Sequence, residues 1–510
     1  MNIIEIGLFL YSVYILRRIL FAVYIWQLKE YRADRMLSFL RTPNGKSLFL
    51  NPIEYFKWII CTVSFIAIIY PARATDFIFL SIIVFLVLIT IPILFYSITG
   101  FISLVNLFRH KWKTPIFTVK ALTILAILIA LLSINLGIYW FVNGYYLGFL
   151  LLLLFDLFVL PITGVLVLLL NIPTTIYKNY LESVAKRKIE SMKNLIVLGI
   201  TGSVGKTSTK EFLAKILEAK YKVAKTPESI NTEMGIAKFI LNDLKDDTEI
   251  FIVEMGAYKK GEIKSICDMV HPKIGIMTYI GTQHFELFGN LQNLIDAKYE
   301  LIECLPPDGL AVLNEENEIC RKLAQKAKGE GREVLLYGRN KAKLKSYPAP
   351  KLLGKQIIPN LLAAISVAEF LNIPSNQIKK QISQLTPPVH TMESVGNYKG
   401  ATLIDDTFNI SRESSLAAID YMKSFKGKKV LILSPLIELG TQTSKIGQEV
   451  IGRARKICDL VILADKNSPE KTKPQIDKLV EIDSIILFEG KEAKKYLEYL
   501  TKRYTLNAIR

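Results

Sequence analysis

The residues of this chain best suited to chemistry stand in one glycine turn and at the strand ends that follow it. The turn is Gly202-Ser203-Val204-Gly205-Lys206-Thr207, set between the aliphatic stretch 195–198 and a helical pattern expected to open at Ser208. Glycines let backbone N–H groups curl around phosphate oxygens, and the helix N-terminus adds positive potential. In such a loop Lys206 reaches the β- and γ-phosphates and Thr207 holds Mg²⁺. Ile200 stands where the strict eight-residue pattern asks for glycine. The strand–loop–helix setting is met, and the turn reads as a nucleotide site. Downstream, EIFIVEMGAYKKGEI reads as a buried strand ending in Glu254. A third strand, IGIMTYIG, leads to a loop with His284 and then to a helix carrying Lys298. Carboxylate and imidazole groups at strand ends beside a phosphate loop suit Mg²⁺ placement.

The elements that position these groups belong to the last two thirds of the chain. The 510 residues are 51% hydrophobic yet carry 64 Lys+Arg against 46 Asp+Glu, a net charge of +18. That balance calls for an anionic partner, such as nucleic acid, phosphorylated small molecules or a membrane surface. Disorder is excluded by the apolar content. Four His and five Cys without a CxxC pair exclude a metal-rich or disulfide-stapled fold. The apolar excess is confined to residues 1–175. Segments at about 56–72, 77–107, 118–142 and 146–172 are each apolar enough to span a bilayer, and 3–28, interrupted by Arg17 and Arg18, is a fifth candidate that otherwise lies in the interface and leaves four spans. Loops carrying Lys29, Arg32, Arg35, Arg41 and Lys46, or Arg109, Lys111 and Lys113, alternate with loops poor in basic residues. Five spans with the amino terminus outside and the remaining chain in the cytoplasm satisfy that alternation. No cleaved signal peptide is read at the amino terminus. Within the spans, Asp156 is expected to pair with Arg17 or Arg18, because a lone buried charge is costly.

The expected fold class is therefore multi-domain. An all-α polytopic membrane domain of about five helices covers 1–175, and an amphipathic linker helix covers 176–193. A phosphate-loop α/β domain covers 194–386, and a Rossmann-like α/β domain with strands ATLID, KVLIL, LVILA and SIILF covers 387–510.

Over about residues 194–470 the chain resembles the Mur ligase family, with the nearest likeness to its MurF branch, the enzymes that add D-alanyl-D-alanine to cell-wall precursors. The likeness rests on ordered stretches that include ITGSVGKTSTKE, TPESINTEMG, VEMGAYKKGEI, GTQHFELFG, AKYELI, AVLNEENE, NLLAAISVAEFLNIP, LIDDTFNISRESS and LIELG. It implies ATP and Mg²⁺ as cofactors, with Lys206 and Thr207 on the ATP phosphates and Thr207, Glu254 and His284 as metal ligands. Lys298 matches a lysine that several members carry as a carbamate, a second-metal ligand. Asn314 matches an adenine-contacting asparagine, and Asn360 and Asp406 match nucleotide and substrate positions at the seam between domains. Gly202 and Gly205 complete the phosphate cradle. The implied activity is an ATP-dependent carboxylate–amine ligase working through an acyl phosphate.

The chain departs from the family at several points. The membrane region stands where a UDP-sugar-gripping domain is usual, and the 338–354 stretch is short. Thr391 stands where the family has an arginine, Arg412 is a candidate to replace it, and Gln356 and Gln448 stand where histidines are expected. These departures point to a bacterial inner-membrane ligase acting on an envelope precursor carboxylate, lipid-linked, with an amino acid or dipeptide as amine, and with no nucleic-acid partner. Two other readings stay open: a catalytically weakened nucleotide-binding scaffold for envelope enzymes, and a transporter driven by the phosphate-loop domain.

Overall fold

A computed structural model describes residues 3–69, 90–141, 145–228, 230–281, 288, 290–339, 344, 346–348, 354, 357–436, 443–464 and 467–507. The chain divides into two compact units, Met1–Tyr177 and Lys178–Arg510.

The first unit is built from α1 (Ile3–Leu28), α2 (Ala33–Arg41), α3 (Pro43–Lys46), α4 (Pro52–Ile69), α5 (Ile91–Phe108), α6 (Val119–Phe141) and the start of α7 (Tyr145–Ser191). Among the described residues, four helices are long and apolar enough to cross a membrane: Glu5–Leu28, Ile91–Phe108, Val119–Phe141 and Leu150–Ser191. Part of the 77–107 segment lies outside the described residues. The core of this unit joins Ile15, Ile19 and Val23 of α1 to Ile124 and Leu128 of α6 and to Leu152 and Val159 of α7. Helices α1 and α5 run parallel, with Leu10 beside Gly100 and Arg17 donating to Ser103. A Cβ on Gly100 would stand 2.3 Å from the Leu10 carbonyl oxygen, so only glycine permits this approach.

Asp156 is fully buried and does meet an arginine, with Arg18 Nε at 3.0 Å. It also meets Lys57 Nζ at 2.9 Å and accepts a 2.8 Å hydrogen bond from Tyr96. Glu54 pairs with the same Arg18 and Lys57. The expected two-charge pair is thus a neutral four-charge cluster that ties α1, α4, α5 and α7 together.

The expected break between the last span and a separate linker helix is not seen. Helix α7 runs unbroken for 47 residues through Pro161 and Pro173. After Pro173, which cannot donate to the Leu169 carbonyl, the Thr174 hydroxyl donates to the carbonyls of Leu170 and Asn171. At its end Lys178 pairs with Glu233, and Lys188 donates to the Leu244 carbonyl, so these cations face protein.

The second unit holds two sheets. The first runs β1 (Ile196–Thr201), α8 (Lys206–Leu217), β2 (Val223–Lys225), α9 (Glu233–Asn242), β3 (Ile250–Glu254), α10 (Glu262–Val270), β4 (Ile274–Met277), α11 (Leu291–Glu303), β5 (Leu310–Asn314), α12 (Glu318–Gly329) and β6 (Glu333–Tyr337). All pairings are parallel, in the order β2-β3-β1-β4-β5-β6. The inner strands β1, β3, β4 and β5 are short aliphatic runs buried on both faces, the pattern a helix-covered parallel sheet requires. Helices α13 (Ile358–Phe370) and α14 (Ser375–Ser383) follow and pack with α8. The second sheet is built from β7 (Glu393–Tyr398), β8 (Ala401–Asp406), α15 (Arg412–Tyr421), β9 (Lys429–Leu433), α16 (Thr443–Arg455), β10 (Leu460–Leu463), α17 (Pro469–Leu479), β11 (Ile485–Glu489) and α18 (Lys494–Asn507). Its order is β10-β9-β11-β8-β7, parallel except for β7. The four strands read from the sequence are all present. The hairpin strand β7 was not read, because ESVGNY carries glycine and polar residues and little burial.

Candidate functional site

The phosphate loop leaves β1 at the centre of the first sheet. Gly202 (φ +150°) and Gly205 (φ +88°) adopt backbone conformations that side-chain-bearing residues avoid. A Cβ on Gly202 would lie 2.0 Å from Thr278 Oγ1, and one on Gly205 would lie 2.4 Å from Asn360 Oδ1. The loop is pinned from β4 and its exit. Ser203 N donates to the Tyr279 carbonyl at 2.6 Å, and Thr278 Oγ1 donates to the Val204 carbonyl at 2.7 Å. Helix α8 opens at Lys206, two residues before the expected Ser208, because left-handed Gly205 already turns the chain into the helix. Its first N–H groups therefore point into the cradle.

Two ammonium groups share one carbonyl. Lys206 Nζ donates to Gly202 O at 2.8 Å and Lys298 Nζ to the same oxygen at 3.0 Å. Burial pushes the Lys206 amine below the ordinary lysine range. Burial first, and the Lys206 charge second, push Lys298 well below it. Lys298 is 3% exposed, held on α11 against the loop.

Beside the lysines, Thr207 Oγ1 donates to Glu254 Oε2 at 3.0 Å, with Glu254 at the end of β3 next to β1. Asn231 Nδ2 donates to the other oxygen of Glu254 at 3.4 Å. Fully buried Lys210 reaches Glu254 Oε2 at 3.4 Å. A hydroxyl and a carboxylate converging beside a phosphate cradle are hard oxygen donors, and they fit Mg²⁺. Sequence reading passed over Asn231 and Lys210. The signal for Lys210 was its helical spacing, three residues after Thr207 and four after Lys206 on one face of α8.

The structure brings Gly202, Gly205, Lys206, Thr207, Glu254, Lys298 and Asn360 together. Asn314 is buried at the carboxyl end of β5, two strands away along the same edge, where its Oδ1 accepts from Glu316 N. His284 and Gln356 lie outside the described residues. Asp406 stands in the second sheet, where its Oδ1 accepts from Met392 N at 3.2 Å. It is the register partner of fully buried Glu489. Burial lifts Asp406 to about 7, and burial with the neighbouring Asp406 lifts Glu489 well above the usual carboxyl range. The second sheet reaches the phosphate loop through α15. Glu413 packs against Gly281, and Gly281 N donates to Ser203 Oγ at 3.1 Å. Arg412, expected to stand in for an arginine missing at Thr391, is instead forked onto Glu449 of α16. Gln448 is exposed.

Residues 200–350 match the model of the Mur ligase middle domain. Among curated relatives, the UDP-N-acetylmuramoyl-tripeptide–D-alanyl-D-alanine ligase of Synechocystis sp. is 31% identical over 279 residues, which are 51% of this chain and 60% of the relative. The Bacillus subtilis protein of the same name is 27% identical over 346 residues, 65% of this chain and 73% of the relative. The chain thus spans about 60% of the length of the Synechocystis relative. Among solved structures, MurF from Acinetobacter baumannii superposes with a TM-score of 0.56 at 20% identity, over 64% of this chain and 80% of that one. The MurF ligase of Thermotoga maritima in complex with ADP gives 0.55 at 23% identity, over 64% and 84%. These two likenesses establish a shared multi-domain α/β fold.

Proposed function

We infer, from a chain that carries a Mur ligase middle domain over residues 200–350, an ATP-dependent amide ligase that joins a carboxylate to an amine through an acyl phosphate. The observation that carries this reading is the convergence of Lys206 and Lys298 on Gly202 O, beside the Thr207–Glu254 pair, at the carboxyl ends of β1 and β3. Lys206 would turn from the Gly202 carbonyl to the β- and γ-phosphates, while the N-terminus of α8 holds the remaining phosphate charge. Thr207 and Glu254, with His284, would hold Mg²⁺. When bound, the ion offsets charge on the transferring phosphoryl group. Lys298 is a buried amine held toward its neutral form, the form that takes up carbon dioxide, and as a carbamate it would turn a cation at this site into an anion. Asn314 would contact adenine, Asn360 would steady the cradle at Gly205, and Asp406 would face the second substrate when the two sheets close on it.

The named relatives act on a UDP-N-acetylmuramoyl-tripeptide and D-alanyl-D-alanine. For this chain we propose an envelope precursor carboxylate, lipid-linked, with an amino acid or dipeptide as amine. The four apolar helices support a multi-pass anchor in a bacterial inner membrane with the catalytic sheets on the cytoplasmic side. The parallel course of α1 and α5 supports the same topology, since both would run from outside to inside. Phosphate release by detergent-purified full-length protein, measured against lipid-linked and UDP-linked precursors with D- and L-amino acids and dipeptides, tests the reading. Release that needs both a precursor and an amine supports it. Commitment of Arg412 to Glu449, with Thr391 at the arginine position, favours one second reading, a nucleotide-binding scaffold. Nucleotide binding without turnover across the panel would select that reading.

A further inference from the structure

We propose that His390 is the general base that takes the proton from the incoming ammonium, an inference that rests on the ligase reading above. His390 Nδ1 lies 2.6 Å from Asp405 Oδ2, and Asp405 is 1% exposed. The other oxygen of Asp405 accepts from the backbone N and the hydroxyl of Thr407, at 3.0 and 2.6 Å. The ring's backbone is also fixed. His390 N donates to Glu393 Oε2 at 3.1 Å, its carbonyl accepts from Phe408 N at 3.0 Å, and its φ is +59°, an uncommon conformation for a residue with a side chain.

The remaining ring nitrogen, Nε2, faces the Lys494 ammonium at 3.4 Å. An ammonium has only donors, so Nε2 accepts there and the ring proton sits on Nδ1, toward the Asp405 carboxylate. This is the arrangement in which an acid orients an imidazole and leaves its outer nitrogen as a base. The Lys494 side chain places a primary ammonium where a substrate ammonium would have to stand. The groups around the ring are Asp405 from β8, held by Thr407 just past that strand, Glu393 from β7 and Lys494 from α18, with Asp406 next to them on Met392 N. His390, Glu393 and Asp405 lie close enough to ligate a metal. Asp405 and Glu393 already accept hydrogen bonds, however, and the open side of the ring is met by a cation, so the site suits an ammonium.

Its place in the fold agrees. After β8 the chain enters α15, whose Ala418 and Ile419 pack with Leu431 and Leu433 on one face of the sheet. After β11 it enters α18, whose Tyr496 and Leu497 pack with Ile432 and Ile486 on the other. Adjacent strands whose connections diverge in this way open a ligand crevice at their carboxyl ends. The β8–α15 loop meets the His390 carbonyl through Phe408 and leads to Glu413, in the first turn of α15, which packs against Gly281 beside Ser203 of the phosphate loop.

In the step proposed, R–NH₃⁺ gives one proton to His390 Nε2. The neutral amine attacks the carbonyl carbon of the acyl phosphate, a C–N bond forms, and the C–O bond to phosphorus-bound oxygen breaks with its electron pair on phosphate. The second amine proton leaves as HPO₄²⁻, and His390 releases its proton to solvent. Hydroxylamine is a weakly basic amine, neutral near pH 7, and traps an acyl phosphate as a hydroxamate without a base. Full-length protein in detergent, with ATP and whichever lipid-linked or UDP-linked precursor supports phosphate release, is given either the amine that supports it or hydroxylamine. His390→Gln is expected to lower the ratio of amide to hydroxamate by about 100-fold, within the range for loss of a general base. Asp405→Asn, which keeps an acceptor but not the charge, lowers the same ratio by a smaller factor. An unchanged ratio in His390→Gln, or loss of both products in a variant that still binds ATP, overturns the proposal alone. Absence of hydroxamate with the unaltered chain across lipid-linked and UDP-linked precursors overturns the ligase reading, and this proposal with it.

Discussion

The carboxyl pair closing β8 and β11 should make the second sheet lose stability as pH rises, the reverse of what ion-paired acids do. Asp406 and Glu489 are register partners on adjacent parallel strands, and both are buried. Burial lifts Asp406 from its ordinary value of 3.8 to about 7 and lifts Glu489 in the same direction. Between those values the folded chain keeps a proton that the unfolded chain has released. The stability that proton contributes is complete below about pH 4 and is lost as pH rises through about 7. One proton changes stability by about 1.4 kcal/mol per pH step, so Asp406 alone sets a ceiling of ~4 kcal/mol. The double variant Asp406→Asn/Glu489→Gln cannot ionise, yet it keeps acceptors for Met392 N and the Ser415 hydroxyl. All four tryptophans lie before residue 141, so fluorescence would not report on this sheet. Urea pulse proteolysis of the full chain in detergent, following peptides from residues 401–489, does. The parent's urea midpoint is expected to fall between pH 5 and pH 8 while the double variant's stays level. A variant that follows the parent's pH dependence, or that is less stable than the parent at pH 8, would refute the reasoning.

Three further outcomes follow from single contacts. Gly202→Ala drives a methyl group to 2.0 Å from Thr278 Oγ1, so ATP binding should fall sharply while the circular dichroism spectrum is kept; normal ATP affinity would mean the loop does not cradle phosphate. Asp156→Asn leaves the Arg18 and Lys57 cations poorly compensated and should cost about 3–5 kcal/mol, read as lost detergent-stable protein. An Arg18/Asp156 charge swap should not rescue it, because the new cation would face Lys57, and full rescue would contradict the four-charge cluster. Arg412→Ala breaks an exposed pair with Glu449 and should change stability by less than about 1 kcal/mol; a tenfold loss of ATP turnover would instead put Arg412 at the phosphates.

What could be read from the sequence was whatever local pattern determines. The aliphatic runs that became β1, β3, β4 and β8 to β11 are short, bounded by glycine or polar residues, and buried as their composition requires. The phosphate loop was legible because glycine and lysine spacing is itself the mechanism. Long-range partners were not. Lys57 meets Asp156 only through the packing of α4 against α7. The resemblance placed Asp406 at the seam between domains, and its pairing with Glu489 depends on strand order, which local sequence does not display. His390 carried no signal at all, since a lone histidine before a hairpin becomes a base only when Asp405 and Lys494 meet it in space.

The central claim is that Lys206 serves an amide ligase. Phosphate release by the full-length protein, with ATP, a precursor carboxylate and an amine, tests it most directly when the Lys206→Ala variant is run beside the parent. The account predicts release that rises on adding the amine and is abolished in Lys206→Ala. Release that ignores the amine, or that persists undiminished in the variant, would contradict it.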